Sequence, residues 1–352
     1  MTYTEKGCQI AMLNRTTPDA PESRPTGAGH ATPPIIEVDD LRRSFGQLEA
    51  VRGVSFDVTP GEVFGFLGPN GAGKTTTINM LCTLLRPTAG RAAVNGFDVV
   101  SQRSDVRRSI GLVFQQPTLD ETLTAEQNLR FHAYAYGVPA DVRERRLREL
   151  LTLVELWDRR RNQVRSFSGG MKRRLEIARG LLHHPHVLFL DEPTLGLDPQ
   201  TRRRIWEYLT ELRGRDGLTI FLTTHYMDEA EHCDRIAVID HGRIVAVDSP
   251  ANLKSAVGGD LITIAVGDGQ AAADELRGRY GVSPFIVDGT VSFQVPAGEA
   301  FLPEFVRGFG QPLDAIGLRR PTLDDVFLNL TGREIRDSEG STPVSTSGMW
   351  RR

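Results

Sequence analysis

Eight residues, Gly68-Pro69-Asn70-Gly71-Ala72-Gly73-Lys74-Thr75, constrain this chain more than any other stretch because of what flanks them. Glu62-Val63-Phe64-Gly65-Phe66-Leu67 reads as a short buried strand, and Thr75 to Leu85 as a helix that stops before Pro87. Strand, glycine-rich turn and helix in that order gather backbone N–H groups and the positive end of a helix around one point. Glycines let those groups turn inward without Cβ clashes, so the loop offers preformed anion sites suited to a triphosphate. Lys74 is then expected at the terminal phosphates and the Thr75 hydroxyl at Mg²⁺, with Thr76 completing the nucleotide-binding run. Of 42 basic residues only Lys6, Lys74, Lys172 and Lys254 are lysines. A compact ammonium at position 74 therefore stands out against an arginine background.

At 352 residues the chain suggests about two domains. A hydrophobic content of 39%, a charged content of 25% and a net charge of −3 fit an ordinary soluble globular protein. They give no support to a general nucleic-acid binder, which would carry a basic face. No apolar run approaches the roughly 18 residues that cross a bilayer, so any membrane role needs another chain to supply the span. Cys8, Cys82 and Cys233 are few, odd in number and far apart, which indicates neither a disulfide framework nor a zinc site and suits a reducing cytosol. His183, His184 and His186 cluster around Pro185 and read as a solvated loop. His225 and His232 lack the spacing of a helical zinc motif.

Residues 1–34 carry Pro18, Pro21, Pro25, Pro33 and Pro34 without apolar periodicity, the pattern of a disordered tail, and lack the apolar core of a signal peptide. Ile35 to Val38 and Val54 to Val58 read as strands. Between them Phe45 sits in a glycine-bounded turn, placed either to stack on a base or to pack half-buried. Ala92 to Gly96 reads as strand and turn, and Ile110 to Phe114 as an apolar strand running into Gln115. From Thr124 to about Leu156 the period turns helical, opened by a capping box from Thr124 to Gln127, with Arg143, Arg145, Arg146 and Arg148 on an expected solvated face. Phe167-Ser168-Gly169-Gly170-Met171 then starts a helix through Leu182. That serine–glycine start is a second potential anion site or an ordinary helix beginning. Val187 to Leu190 is a buried strand delivering Asp191 and Glu192 at its end. There Asp191 suits a Mg²⁺-organising role and Glu192 a base that polarises water. Leu218 to Thr223 is a further buried strand, ending in Thr224 and His225, whose imidazole can reach a γ-phosphate. Arg235 to Val247 reads as a hairpin around His241-Gly242.

The last part is readable by itself: strand 261–266, helix 270–279, strands 283–287 and 290–295, helix 299–308 and strand 313–319, the β-α-β-β-α-β order of a ferredoxin-like unit. It carries no catalytic constellation. A closing helix starts near Pro321, and disorder is expected from residue 335. The expected fold class is α/β, a P-loop NTPase cassette with a mixed sheet core and helical subdomain, followed by a small α+β unit. Its divisions are a tail at 1–34, the cassette at 35–250 with its helical subdomain at about 120–180, a regulatory or assembly unit at 251–334 and a tail at 335–352.

Taken in order over residues 35–250, these motifs resemble the nucleotide-binding domain of ATP-binding cassette proteins. The resemblance implies ATP and Mg²⁺ as ligands and Phe45 as the residue stacked on adenine. It implies Gln115 as the Q-loop residue, acting in catalysis beside Lys74, Glu192 and His225 and at the metal beside Thr75 and Asp191. Phe167 to Met171 would be the signature, its Ser168, Gly169 and Gly170 contacting nucleotide. Leu195-Gly196-Leu197-Asp198 would be the D-loop, with Asp198 at the nucleotide, and His225 the switch histidine. Met171 stands where many members of the family have glutamine. Because family geometry lays one domain's signature over another's ATP, the resemblance implies a homodimer or a pair with a second cassette. It also implies a separate transmembrane permease subunit and a peripheral place on the cytoplasmic side of the membrane, without nucleic acid. Leu323-Asp324-Asp325-Val326-Phe327-Leu328, followed by Thr331-Gly332-Arg333, is similar to the end of daunorubicin-resistance-type exporter ATPases. The function expected is an ATPase energising export of drug, antibiotic or lipid-like cargo. The alternatives are a soluble cassette ATPase acting on ribosomes or DNA, and a nucleotide-gated regulator without turnover.

Overall fold

The computed structural model describes residues 33–287 and 290–331; Cys8, residues 1–32 of the first expected tail, the second tail and Gly332-Arg333 lie outside them. The chain begins with a long antiparallel hairpin of β1 (Ile36–Phe45) and β2 (Leu48–Val58), pairing Ile36 with Val58 and Phe45 with Leu48. The two strands are therefore longer than their apolar cores suggest, and Phe45 closes β1 rather than sitting in a loop. β3 (Val63–Leu67) is buried along its whole length and leads through the glycine loop into α1 (Lys74–Leu81). That helix ends at Leu81 rather than Leu85, because Thr83 takes φ +63° and the N–H groups of Leu84 and Leu85 turn back to the Asn79 carbonyl at 2.9 and 3.0 Å. β4 (Ala89–Val94) and β5 (Phe97–Asp98) complete an antiparallel sheet in the order β2-β1-β4-β5.

α2 (Arg103–Ser109) leads into β6 (Ile110–Val113), and the helical insert follows as α3 (Ala125–Ala135) and α4 (Ala140–Leu153). The two helices part at Gly137-Val138-Pro139, since the proline cannot continue α3. The Thr124–Gln127 capping box forms as the spacing predicts. Next come α5 (Gly169–Gly180), β7 (Val187–Asp191), α6 (Pro199–Asp216), β8 (Thr219–Thr224), α7 (Met227–Ala230), the hairpin β9 (Arg235–Asp240) and β10 (Arg243–Asp248), and α8 (Pro250–Val257). The central sheet runs β10-β9-β3-β8-β7-β6, with every neighbouring pair parallel except β9 and β10. Parallel strands covered on both faces bury every position, which is why β3, β7 and β8 read as unbroken apolar runs.

Alternate residues of these strands serve two cores. One face meets the antiparallel sheet through Phe56, Phe64, Phe66, Phe189 and Phe221, with Phe56 stacked 5.4 Å from Phe64 and Phe64 5.6 Å from Phe221. The other face, with Leu188, Leu190, Ile220 and Leu222, is covered by Leu175 and Ile177 of α5 and Leu209 and Leu212 of α6. Two sequence expectations change here. Arg146 is buried rather than solvated, and its Nη2 donates at 2.9 Å to the carbonyl of Leu181, where a cation satisfies the end of α5. His183 is not in a solvated loop either: its ring stacks on Tyr136 at 4.0 Å, and Nε2 lies 2.8 Å from the Ile110 carbonyl.

The C-terminal elements are β11 (Asp260–Ala265), α9 (Gly269–Tyr280), β12 (Phe285–Val287), β13 (Thr290–Val295), α10 (Gly298–Gly308) and β14 (Ala315–Arg319). Their sheet order, β12-β13-β11-β14, centres the first and third strands as the β-α-β-β-α-β reading requires. Ile262, Ile264, Phe293 and Phe305 form their core. The last helix, α11 (Leu323–Thr331), joins another: its Leu323, Val326 and Phe327, with Leu253 of α8, are buried in the helix-covered core of the cassette, so packing crosses the division drawn at residue 250. No helix among the described residues is long and apolar enough to cross a membrane.

Candidate functional site

The parallel registry brings three strand ends together, pairing Leu67 with Thr224 across β3 and β8 and Asp191 with Thr223 across β7 and β8. The C-terminal edge of such a sheet is where ligands of α/β folds bind. The glycine loop leaves β3 at this edge. Gly71 holds φ +81°, and Gly73 holds φ +107° with a Cβ position only 2.7 Å from the Ala50 carbonyl, so a side chain at 73 would be both strained and obstructed. The cleft above the loop is about 260 Å³ and is lined by Ala50, Asn70, Gly71, Gly73, Lys74, Thr75, Thr76, Gln115 and Glu192. Lys74 is buried. Its Nζ donates to the carbonyl of Gly68 at 2.8 Å and to that of Pro69 at 3.2 Å, and lies 3.5 Å from Glu192 Oε1.

Glu192 is the convergence point. Gln115 Nε2 donates to its Oε2 at 3.0 Å, and Nδ1 of His225 stands 3.2 Å from its Oε1. Its backbone takes φ +46°, a left-handed conformation uncommon for glutamate and held by the Thr223 carbonyl and hydroxyl, each 3.1 Å from the Glu192 N–H. Burial pushes the Glu192 carboxyl up, but the His225 hydrogen bond and the Lys74 charge together outweigh it and leave the group below the usual glutamate range. Asp191 behaves in the opposite way: burial dominates and holds it above the usual range, despite hydrogen bonds from Thr223 and Thr75. Thr75 Oγ1 is 3.2 Å from Asp191 Oδ1, a pairing of hard oxygen donors of the kind Mg²⁺ takes when phosphates supply most of its other ligands.

Other expected residues stand apart. Phe45 is 47% exposed at the end of β1, with the Arg43 guanidinium 4.5 Å from its ring centre, and is not among the residues lining the cleft. Ser168 and Gly169 are exposed and Gly170 half-buried, with Ser168 capping α5 by accepting from the Met171 N–H at 3.3 Å. Asp198 caps α6 through the Thr201 N–H at 3.0 Å and is exposed. None of these lines the phosphate cleft of its own chain.

Arg173 escaped the sequence reading. Buried on α5, it donates to the carbonyls of Phe114 and Pro193, to that of Asp191 at 3.0 Å and to that of Glu192 at 2.8 Å. Glu176, fully buried beside it at 3.4 Å, also accepts from the Thr118 N–H at 2.8 Å. The helix begun by Ser168 is thereby fixed to the carboxylate strand and to the segment after Gln115. In sequence, Lys172-Arg173-Arg174 is a run of three like charges, and nothing in it marks the middle residue as interior.

A phosphate-binding loop facing paired strand-end carboxylates and a strand-end histidine defines a P-loop nucleotide hydrolase. The family described as ABC transporter matches residues 51–195. The daunorubicin resistance ATP-binding protein DrrA3 of Streptomyces coeruleorubidus is 43% identical, over 87% of this chain and 98% of its own. The Nod factor export ATP-binding protein I of Ralstonia nicotianae is 40% identical, over 89% of this chain and 99% of its own. Among solved structures, the dimeric ATP-binding cassette MJ0796 in a post-hydrolysis state bound to ADP and Pi superposes with a TM-score of 0.56 at 28% identity, covering 61% of this chain and 98% of that one. The chain belongs to the ABC transporter family, as an ATP-binding and ATP-hydrolysing subunit of the daunorubicin-resistance exporter type.

Proposed function

We propose that this subunit energises the export of drug, antibiotic or lipid-like cargo by closing two cassettes over ATP. In each cassette Lys74 and the backbone N–H groups of Asn70, Gly71 and Gly73 to Thr76 bind the phosphates. Thr75 and Asp191, with Gln115 beside them, would hold Mg²⁺, which when bound offsets phosphate charge. Glu192, ionised at neutral pH, accepts the proton of the attacking water while His225 and Gln115 hold its two oxygens in place. Phe45, exposed at the end of β1, stacks on the adenine.

Exposure of Ser168 and Gly169 at the start of α5 carries the dimer reading, since groups turned away from their own cleft are free to meet a nucleotide held by a second cassette. The dimeric form of the MJ0796 cassette supports the same arrangement. A separate transmembrane subunit would convert closure into transport, with this chain peripheral on the cytoplasmic face. Cargo of the class named follows from relatives that confer daunorubicin resistance and export Nod factor. Glu192→Gln tests the reading. ATP binding should persist, turnover should fall by about 10²-fold or more, and size-exclusion chromatography with ATP should trap a dimer. Wild-type turnover in this variant removes Glu192 from the role.

A further inference from the structure

Glu229 lies on α7, is 3% exposed, and is used by nothing described so far. Its Oε1 accepts from the Thr194 hydroxyl, and Oε2 has no hydrogen-bond partner. A buried, half-satisfied carboxyl is costly to keep, so its placement asks for a reason. The Thr194 bond supplies one. Thr194 is fully buried two residues after Glu192, where the chain leaves β7, and Thr224 is fully buried immediately before His225, where it leaves β8. Thr224 is itself tied, for its carbonyl accepts from the Gly68 N–H at 3.2 Å and its hydroxyl from the Tyr226 N–H at 2.9 Å.

We propose that Glu229 is a positioning residue, whose carboxyl, on α7 four residues after His225, holds Thr194 at the exit of β7 and so fixes the spacing at which His225 meets Glu192. This rests on Glu192 and His225 acting together in hydrolysis. Glu229 does not line the phosphate cleft. Burial holds its carboxyl above the usual glutamate range.

The test is steady-state ATP hydrolysis by the full chain, with ATP affinity and thermal unfolding measured beside it. Thr194→Val and Glu229→Ala each break the link and should lower kcat by about tenfold while KM for ATP stays within about twofold. Glu229→Gln keeps an acceptor for the Thr194 hydroxyl and should stay within about threefold of wild type, and the Thr194→Val/Glu229→Ala double variant should be no slower than the slower single one. Wild-type kcat per folded molecule in both breaking variants, additive losses, or Glu229→Gln as slow as Glu229→Ala would overturn the assignment. Should Glu229→Ala not fold, Thr194→Val with Glu229→Gln decides alone. Glu192→Gln is run in parallel: full turnover there sinks the hydrolytic reading, whereas loss there with full turnover in Thr194→Val and Glu229→Ala sinks only the role given to Glu229.

Discussion

Lys74 Nζ donates to the carbonyl oxygen of Gly68 at 2.8 Å, so the side chain folds back over the loop that carries it. Burial lowers the pKa of this ammonium, and the neighbouring charge of Glu192 works against that fall. A triphosphate on the loop adds negative charge around the same atom. Lys74→Ala is expected to weaken ATP binding about tenfold or more, measured by titration calorimetry. Equal affinity in variant and wild type would contradict the placement of Lys74 at the phosphates.

The helical insert should be sensitive to mild acid. Burial, followed by the charges of Arg179 and His183, pushes His132 from 6.5 down to about 4. Between those values the unfolded chain takes up a proton that the folded chain refuses, so stability falls as pH drops through that window and is unaffected above it. Burial also lowers His183, which adds to the effect with the same sign. Urea midpoints at pH 7 and 4.5 should therefore differ, and His132→Gln should shrink the difference; an unchanged difference would count against a neutral, sheltered imidazole.

Asp325 anchors the last helix. Its carboxylate takes both arms of the Arg319 guanidinium at 2.7 and 3.1 Å and accepts from the Thr322 N–H at 2.8 Å, while Thr322 Oγ1 faces the Asp325 N–H at 3.3 Å. These contacts, the Arg319 bonds foremost, hold its pKa down at about 2. The contribution is present above 3.8 and disappears as pH falls toward 2, since only the ionised form takes both arms. Asp325→Ala removes the carboxylate that reaches back to the Thr322 N–H and holds Arg319, and should cost about 1 kcal/mol at neutral pH. Scanning calorimetry should then show Tm lower by a few degrees; no change would mean that α11 docks without that carboxylate.

Much of the fold was readable because parallel, doubly covered strands spell themselves as apolar runs, as Val187 to Leu190 and Ile220 to Leu222 do. What was missed depends on distance. The end of α1 is set by the backbone of Thr83, the interior place of Arg146 by the Leu181 carbonyl, and α6 by Ile205, Trp206, Leu209 and Leu212, whose period lies hidden among arginines. Within the candidate site, Lys74, Thr75, Gln115, Asp191, Glu192 and His225 stood out because each closes a recognisable local pattern. Glu229 and Arg173 did not, since their meaning lies in carbonyls and hydroxyls contributed by segments distant in sequence.

The burial of Leu323, Val326 and Phe327 beside Leu253 has a consequence for synthesis. A ribosome releases both sheets of the cassette, and then an entire third sheet, before the side chains that finish the helix-covered interior emerge. Vectorial folding can thus close the ferredoxin-like unit while its predecessor still waits for a plug. Any chimera that exchanges ends between such subunits must carry that helix with the cassette it seals, or leave a hydrophobic wound for chaperones to find.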